Sequence, residues 1–306
     1  LNRYAFSEAD PPGFPVLFTL QIFQPPPETS VWALQIVPAL RPPGQEAILG
    51  DKINNCRPKE QLRLPQLQFA ELPKHQILVG MSPQLLSILT NKKPLSSTVR
   101  FCEPSTTGDN TRFVRYVWEC LDLKRARWHL MSKGGSHKRW SGLEIYLLDW
   151  EYSGRRIKEH RGSYIRNEAY MFKPGITLTA MSRHGISFRN MPSKMTFGKA
   201  GPGCFPSVKD IISLILLLNS RLYQYLLRSL NPDASISTGN IARLPVPSED
   251  FLHGVEEIAK LRLEIANRLS SFEILESSFQ PSQIIRNLRN RKNQGNGLLI
   301  SRINCL

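Results

Sequence analysis

Hydrophobic patterning divides the 306 residues into three regimes. Up to about residue 72 the apolar positions hold no sustained period. Here 12 of the 23 prolines fall before Lys74, Pro25-Pro26-Pro27 and Pro42-Pro43 among them. Proline removes ladder donors and breaks helices, so residues 1–72 are expected to be extended, loop-rich or partly disordered. From about residue 73 to 205, short apolar runs alternate with turn residues. Ser82-Pro83 before Leu85, Leu86, Ile88 and Leu89 predicts a short helix with a serine cap and proline at its first position. Arg112–Cys120 alternates as a strand, Gly142–Trp150 reads as a more apolar one, and Gly175–Met181, Gly185–Arg189 and Lys194–Phe197 as further short ones.

Beyond residue 206 the period becomes helical. Pro206-Ser207 with Asp210 opens a helix expected to run to about Leu230 and to stop before Asn231-Pro232. A second helix, near Gly254–Glu276, places Val255, Ile258, Leu261, Ile265, Leu269 and Phe272 on one apolar face. The expected fold class is α+β. It comprises an N-terminal proline-rich loop region (1–72), an irregular curved β-sheet domain (73–205), a helical segment packing on it (206–285) and a basic tail (286–306).

Charge changes this picture from a scaffold to a binding surface. Forty Lys and Arg against 25 Asp and Glu leave a net +15. A surplus of that size fits a polyanionic partner, nucleic acid above all, although a solvated basic surface has the same composition. The surplus is concentrated: Lys124 to Arg166 holds eleven Lys and Arg against four acids. A focused patch favours a binding face. Cys56, Cys102, Cys120, Cys204 and Cys305 are scattered, without a Cys-x-x-Cys, so neither a disulfide framework nor a zinc site is expected. The longest apolar run, Ile211–Leu218, is too short to span a bilayer, and no signal peptide is evident. A cytoplasmic protein without a membrane partner is expected.

Candidate chemistry centres on Lys133-Gly134-Gly135-Ser136-His137-Lys138-Arg139-Trp140. Glycines let a backbone come close to a partner, and cations ending on an aromatic suit phosphates and bases. The alternative is a solvated hairpin tip. In Tyr164-Ile165-Arg166-Asn167-Glu168, arginine and asparagine have the donor geometry for guanine and adenine edges, and the bland alternative is an Arg–Glu surface pair. Thr107-Gly108-Asp109-Asn110 before Arg112 reads as a tight turn, with Arg112 a candidate phosphate contact. Gly198-Lys199-Ala200-Gly201-Pro202-Gly203 lacks the phosphate-loop order, and reads instead as a backbone passing close to a partner with Lys199 reaching outward. No glycine-rich strand–turn–helix for a methyl donor or dinucleotide is present. Asp10-Pro11-Pro12 is followed by Gly13 where a stacking aromatic would be needed to grip a flipped adenine.

These segments occur in an order that resembles a known family. TTGDNTRFVRYVWE, SKGGSHKRWSGLEIYLLDWE, SYIRNEAYMFKPGITLT, GPGCFP, LLLNSRLYQYLLRSLNPDASISTGNIARLPVP and SSFEILESSF follow one another between about Glu71 and Ile285. The series is similar to the C-terminal target-recognition region, of TaqI-like specificity-domain type, in adenine-specific DNA methyltransferases of restriction and BREX-type phage-defence systems. The resemblance implies a full-length enzyme that binds S-adenosylmethionine in an N-terminal α/β domain and flips an adenine for methylation at N6. It implies recognition of double-stranded DNA by Lys133, Lys138, Arg139, Trp140, Arg166 and Asn167, with Arg112 and Lys199 as candidates from the residue reading alone.

Departures limit what carries over. The donor motif and the Asn-Pro-Pro-aromatic loop are missing, so no catalytic residue, metal ligand or cofactor of this chain is expected. The proline-rich first 70 residues, beginning at Leu1 rather than Met, are unlike the family's connecting region. The expected function is the specificity portion of such a methyltransferase, served by a catalytic domain in cis or in trans. A non-catalytic scaffold or degenerate remnant that binds a partner subunit is the alternative.

Overall fold

The computed structural model describes residues 26, 28–34, 61–66, 72, 78, 81–102, 105–120, 127–182, 184–207, 211–231, 235–273 and 275–279. Within the proline-rich region, β1 (Ser30–Leu34) pairs antiparallel with β2 (Gln61–Pro65), Trp32 opposite Arg63. The rest of that region, the helix start at Asp210 and the basic tail lie outside the described residues. The fold is α+β.

The chain divides into two compact units, residues 1–97 with 221–246, and residues 98–220 with 247–306. In the first, α1 (Pro83–Asn91) begins as its sequence dictates: Ser82 Oγ accepts from Leu85 N at 3.4 Å, and Pro83 supplies a fixed φ where no donor is needed. Leu86 and Leu89 are its buried residues. The stretch around Pro94 pairs with that around Pro245, through Leu95 N to Leu244 O and Val246 N to Lys93 O.

The second unit holds two four-stranded sheets. One runs β3 (Val99–Cys102), β10 (Gly203–Pro206), β7 (Gly175–Leu178) and β8 (Phe188–Met191), antiparallel throughout. The other runs β4 (Val114–Tyr116), β6 (Tyr146–Asp149), β5 (Trp128–Ser132) and β9 (Met195–Phe197), with β5 and β9 parallel. Side chains from both sheets meet in one core, among them Cys102, Met131, Leu148, Met191, Phe197 and Phe205. All four residues of β7 are buried: Ile176 and Leu178 on one face, Gly175 and Thr177 on the other, where the Thr177 hydroxyl meets that of Ser132 at 2.5 Å.

Two helical expectations change. The helix drawn to Leu230 is two helices, α2 (Ile211–Leu218) and α3 (Arg221–Leu230). Between them the amide of Asn219 donates to Phe188 O at 2.9 Å and accepts from Phe188 N at 3.1 Å. Those two bonds fasten Asn219 to β8 at the point where the helix stops. The second helix is α4 (Glu249–Gly254) followed by α5 (Glu256–Ser270). Its apolar face does not enter the core: Ile258, Leu261, Ile265, Leu269 and Phe272 are all exposed. Instead α5 packs against α2, and its buried residues are the small Ala259 and Ser270. Short side chains allow that close approach.

Candidate nucleic-acid interface

The basic loop leaves β5 and returns into β6, so both its ends are fixed by the sheet. Gly134 and Gly135 take φ of 75° and 125°, values that favour glycine. A Cβ on Gly134 would meet Ala200 O at 2.5 Å, and one on Gly201 would run into Ser132 Oγ. The glycine turn at 198–203 therefore lies on the start of the basic loop, sealed by Gly198 N donating to Ser132 O at 2.9 Å. The close approach read from these glycines as room for a partner is made within the chain. Lys199 stays exposed at the tip of that turn.

Lys133 stands at the same end of the sheet. Its Nζ lies 5.2 Å from the ring centre of Tyr146, and burial lowers its pKa. Tyr146 sits opposite Tyr116 in the β4–β6 ladder, with ring centres 5.1 Å apart. Tyr116 in turn stacks on Trp118. Sequence reading missed this aromatic row. The strand expected over Arg112–Cys120 is confined to Val114–Tyr116, and Trp118 follows it in a 3-10 turn (Val117–Glu119) that folds its ring onto Tyr116.

The other sequence candidates separate. Arg166 is tied to the glycine turn through Ser105, whose hydroxyl bonds Arg166 O and N while Ser105 bridges to Gly198. Arg166 lies over the Tyr164 ring at 4.8 Å, and Asn167 takes a left-handed φ of 54°. Glu168 pairs with Lys158 at 2.6 Å. Lys133, Lys199, Arg166 and Asn167 are thus joined through one string of backbone contacts. Arg112 lies toward the other end of β4, in a turn held by Asp109 Oδ1 accepting from Arg112 N at 3.0 Å. Arg139 is exposed, and Trp140, at φ 77°, pairs its backbone with β8 through Phe188 O and Asn190 N.

Lys138 is engaged inside the unit. Its Nζ contacts Glu276 Oε1 at 2.8 Å and Glu273 Oε2 at 2.7 Å. Glu276 is buried and also accepts from Leu143 N at 2.7 Å and Glu144 N at 2.9 Å. Buried Arg189 donates to Lys138 O, Thr179 Oγ1 and Ser187 Oγ, and desolvation brings its pKa down to about 10. Elsewhere in the patch, Asp149, 1% exposed, takes a bidentate contact from Arg127 and a 3.0 Å contact from Arg156. Arg155 pairs with Glu159. Five of the patch's eleven cations (Arg127, Lys138, Arg155, Arg156, Lys158) therefore meet carboxylates of this chain. Among the described residues no carboxylate pairs with Lys133, Arg139 or Lys199. The charge open to a polyanion is smaller than the composition implies, and of it Lys133 stands beside the aromatic row.

The S-adenosylmethionine site implied by the resemblance is a glycine-rich turn from a strand of a parallel sheet into a helix, the arrangement that doubly wound α/β domains use for nucleotide-like cofactors. Among the described residues the one parallel strand pair is β5–β9, and the glycines after β9 lead into antiparallel β10. These residues do not fit that group, and no methyl-transfer step is assigned to them. Nor is any cluster of three His, Cys, Asp or Glu side chains placed to hold a metal among the described residues. No described helix is long and apolar enough to cross a membrane.

Comparison with known proteins returns one class, the adenine-specific methyltransferases. The chain is 27% identical over 152 residues to the adenine-specific methyltransferase BrxX of Escherichia coli O9:H4 (strain HS), covering 49% of this chain and 12% of that protein. It is 25% identical over 232 residues to the adenine-specific methyltransferase PglX of Lacticaseibacillus casei (strain Zhang), covering 69% of this chain and 19% of that protein. The chain thus spans less than a fifth of the length of either relative. No protein-family profile matches it.

Proposed function

We propose that this chain is the DNA target-recognition portion of an adenine-N6 DNA methyltransferase in a phage-defence or restriction–modification system. Methyl donor and catalysis are supplied by a catalytic methyltransferase domain, in cis or in trans. One observation carries the reading: a chain similar over part of its length to adenine-specific methyltransferases has, among the described residues, Lys133 and Lys199 at one sheet end without a carboxylate partner and no donor-type turn. In this reading Lys133, Arg139 and Lys199 hold phosphates, and Arg166 with Asn167 reads base edges. Trp140 and Arg112 flank the bound duplex. Lys138 acts through the fold, holding the loop in shape.

The test is fluorescence anisotropy of the full chain on labelled duplex DNA across a salt series. The wild-type chain is expected to bind duplex DNA with an affinity that falls steeply with salt. Replacing Lys133, Arg139 and Lys199 with Ala together should reduce the log–log slope by about 2 to 3, at roughly 0.9 for each phosphate no longer neutralised. An unchanged slope removes the assignment of these cations.

A second reading is favoured by the exposed apolar row on α5. In it the chain is a non-catalytic scaffold or degenerate remnant that binds a partner subunit through that helix. Its signature is a folded chain with no affinity for DNA in the same titration.

A further inference from the structure

We propose that Trp118, Tyr116 and Tyr146 form a stacking platform for one nucleobase lying outside the duplex stack, seated on the free face of Trp118. The inference rests on the DNA-binding reading above and extends it to a class of substrate feature. Tyr116 and Trp118 lie face to face, ring centres 4.4 Å apart and planes 9° from parallel, yet they are 38% and 48% exposed. Tyr146 continues the row beneath Tyr116. Rings stacked this closely usually fill a core, but here the row protrudes from the sheet end where the basic loop departs.

The row is held ready. Tyr116 N donates to Glu119 Oε2 at 2.9 Å, and Val117 N to Ile145 O at 3.1 Å, so the turn carrying Trp118 is pinned on both sides. One indole face rests on Tyr116, and no other described ring stacks on Trp118. Every base has a π-face, so such a platform tolerates any base. A base paired within a duplex has both faces covered by its neighbours. An unpaired base, or one in a single strand, does not. The Lys133 ammonium lies over Tyr146, at the opposite end of the row from the free indole face.

The experiment measures binding of the full chain to three DNAs of one sequence: a fully paired duplex, the same duplex with one unpaired base, and the single strand. Wild-type, Trp118→Ala and Trp118→Phe chains are compared, with circular dichroism melts to confirm folding. Wild-type is expected to prefer one or both DNAs that offer an unstacked base. Trp118→Ala should lose that preference by about tenfold, while Trp118→Phe keeps most of it. Preference for the duplex with the unpaired base identifies an extrahelical base as the ligand, and preference for the single strand identifies a strand segment. If the wild-type chain binds DNA but Trp118→Ala shows the same preference, the platform is overturned and the DNA reading stands. If it binds none of the three DNAs, both fall.

Discussion

Glu276 decides what Lys138 does. The two are 138 residues apart in sequence, and their contact turns a cation of the basic loop into one half of an internal pair. Nothing local to SHKRW signals that carboxylate, so residue patterning could name Lys138 only as a candidate for phosphate. Removing Glu276 takes from Lys138 the buried one of its two carboxylates and leaves two backbone donors, at Leu143 and Glu144, without their acceptor. Glu276→Ala should therefore cost about 3–5 kcal/mol of stability in urea denaturation, well above an ordinary surface substitution. Beside it, burial, followed by the charge of Glu276, raises the Glu144 carboxyl above the usual carboxylate range. A folded pKa above the unfolded one gives stability that is fully present below the unfolded pKa and is lost as pH rises through the folded pKa. Urea midpoints measured from about pH 4 to 7 should fall with pH for this reason in the wild-type chain. Glu144→Gln, whose side-chain oxygen still accepts from Ser277, should lack that component; an identical pH profile would remove the assignment.

Elements show where periodicity informs and where it stops. Ser82 and Pro83 capped α1 as any helix start would, because capping is chemistry among residues three apart. The break at Asn219 was invisible for the opposite reason: its partner is the backbone of Phe188, brought beside it by the fold. On α5 the spacing of Ile258, Leu261, Ile265, Leu269 and Phe272 marks one face, and the structure leaves that face exposed. Hydrophobic spacing states that a face exists, while what covers it depends on the neighbouring element. The distinction is measurable. Leu261→Ser and Ile265→Ser should each shift stability by less than about 0.5 kcal/mol, as at exposed positions, against about 2–5 kcal/mol for truncating a large core side chain. A multi-kcal loss from either change would return the face to the core.

At the scale of the molecule, electrostatics connects composition to function. The net +15 and the dense patch were legible at once, but half-legible in effect, since Asp149, Glu159, Glu168, Glu273 and Glu276 hold five of the patch's cations. Those pairs release no counterions on binding DNA, so they add nothing to the salt dependence. Arg127→Ala with Arg156→Ala should accordingly leave the salt slope within about one unit of wild type while lowering stability, because both serve the buried carboxylate of Asp149. A slope reduced as far as in the Lys133, Arg139 and Lys199 variant would place the interface on the wrong cations.

Sequence alone determined the fold class, the capped helix, the places of five of the ten described strands and the concentration of positive charge, since each depends on neighbours along the chain. It also carried the likeness to adenine-specific methyltransferases, which comparison returned over part of the chain. Only the tertiary structure decided which cations are open and which are paired, which glycines face the chain itself, and that Tyr116, Trp118 and Tyr146 stand in one row beside Lys133. The physical reason is the same in each case. Ion pairing and ring stacking act over a few ångströms in space, and pairs such as Lys138 with Glu276 or Tyr116 with Tyr146 come from distant segments that only the fold brings together.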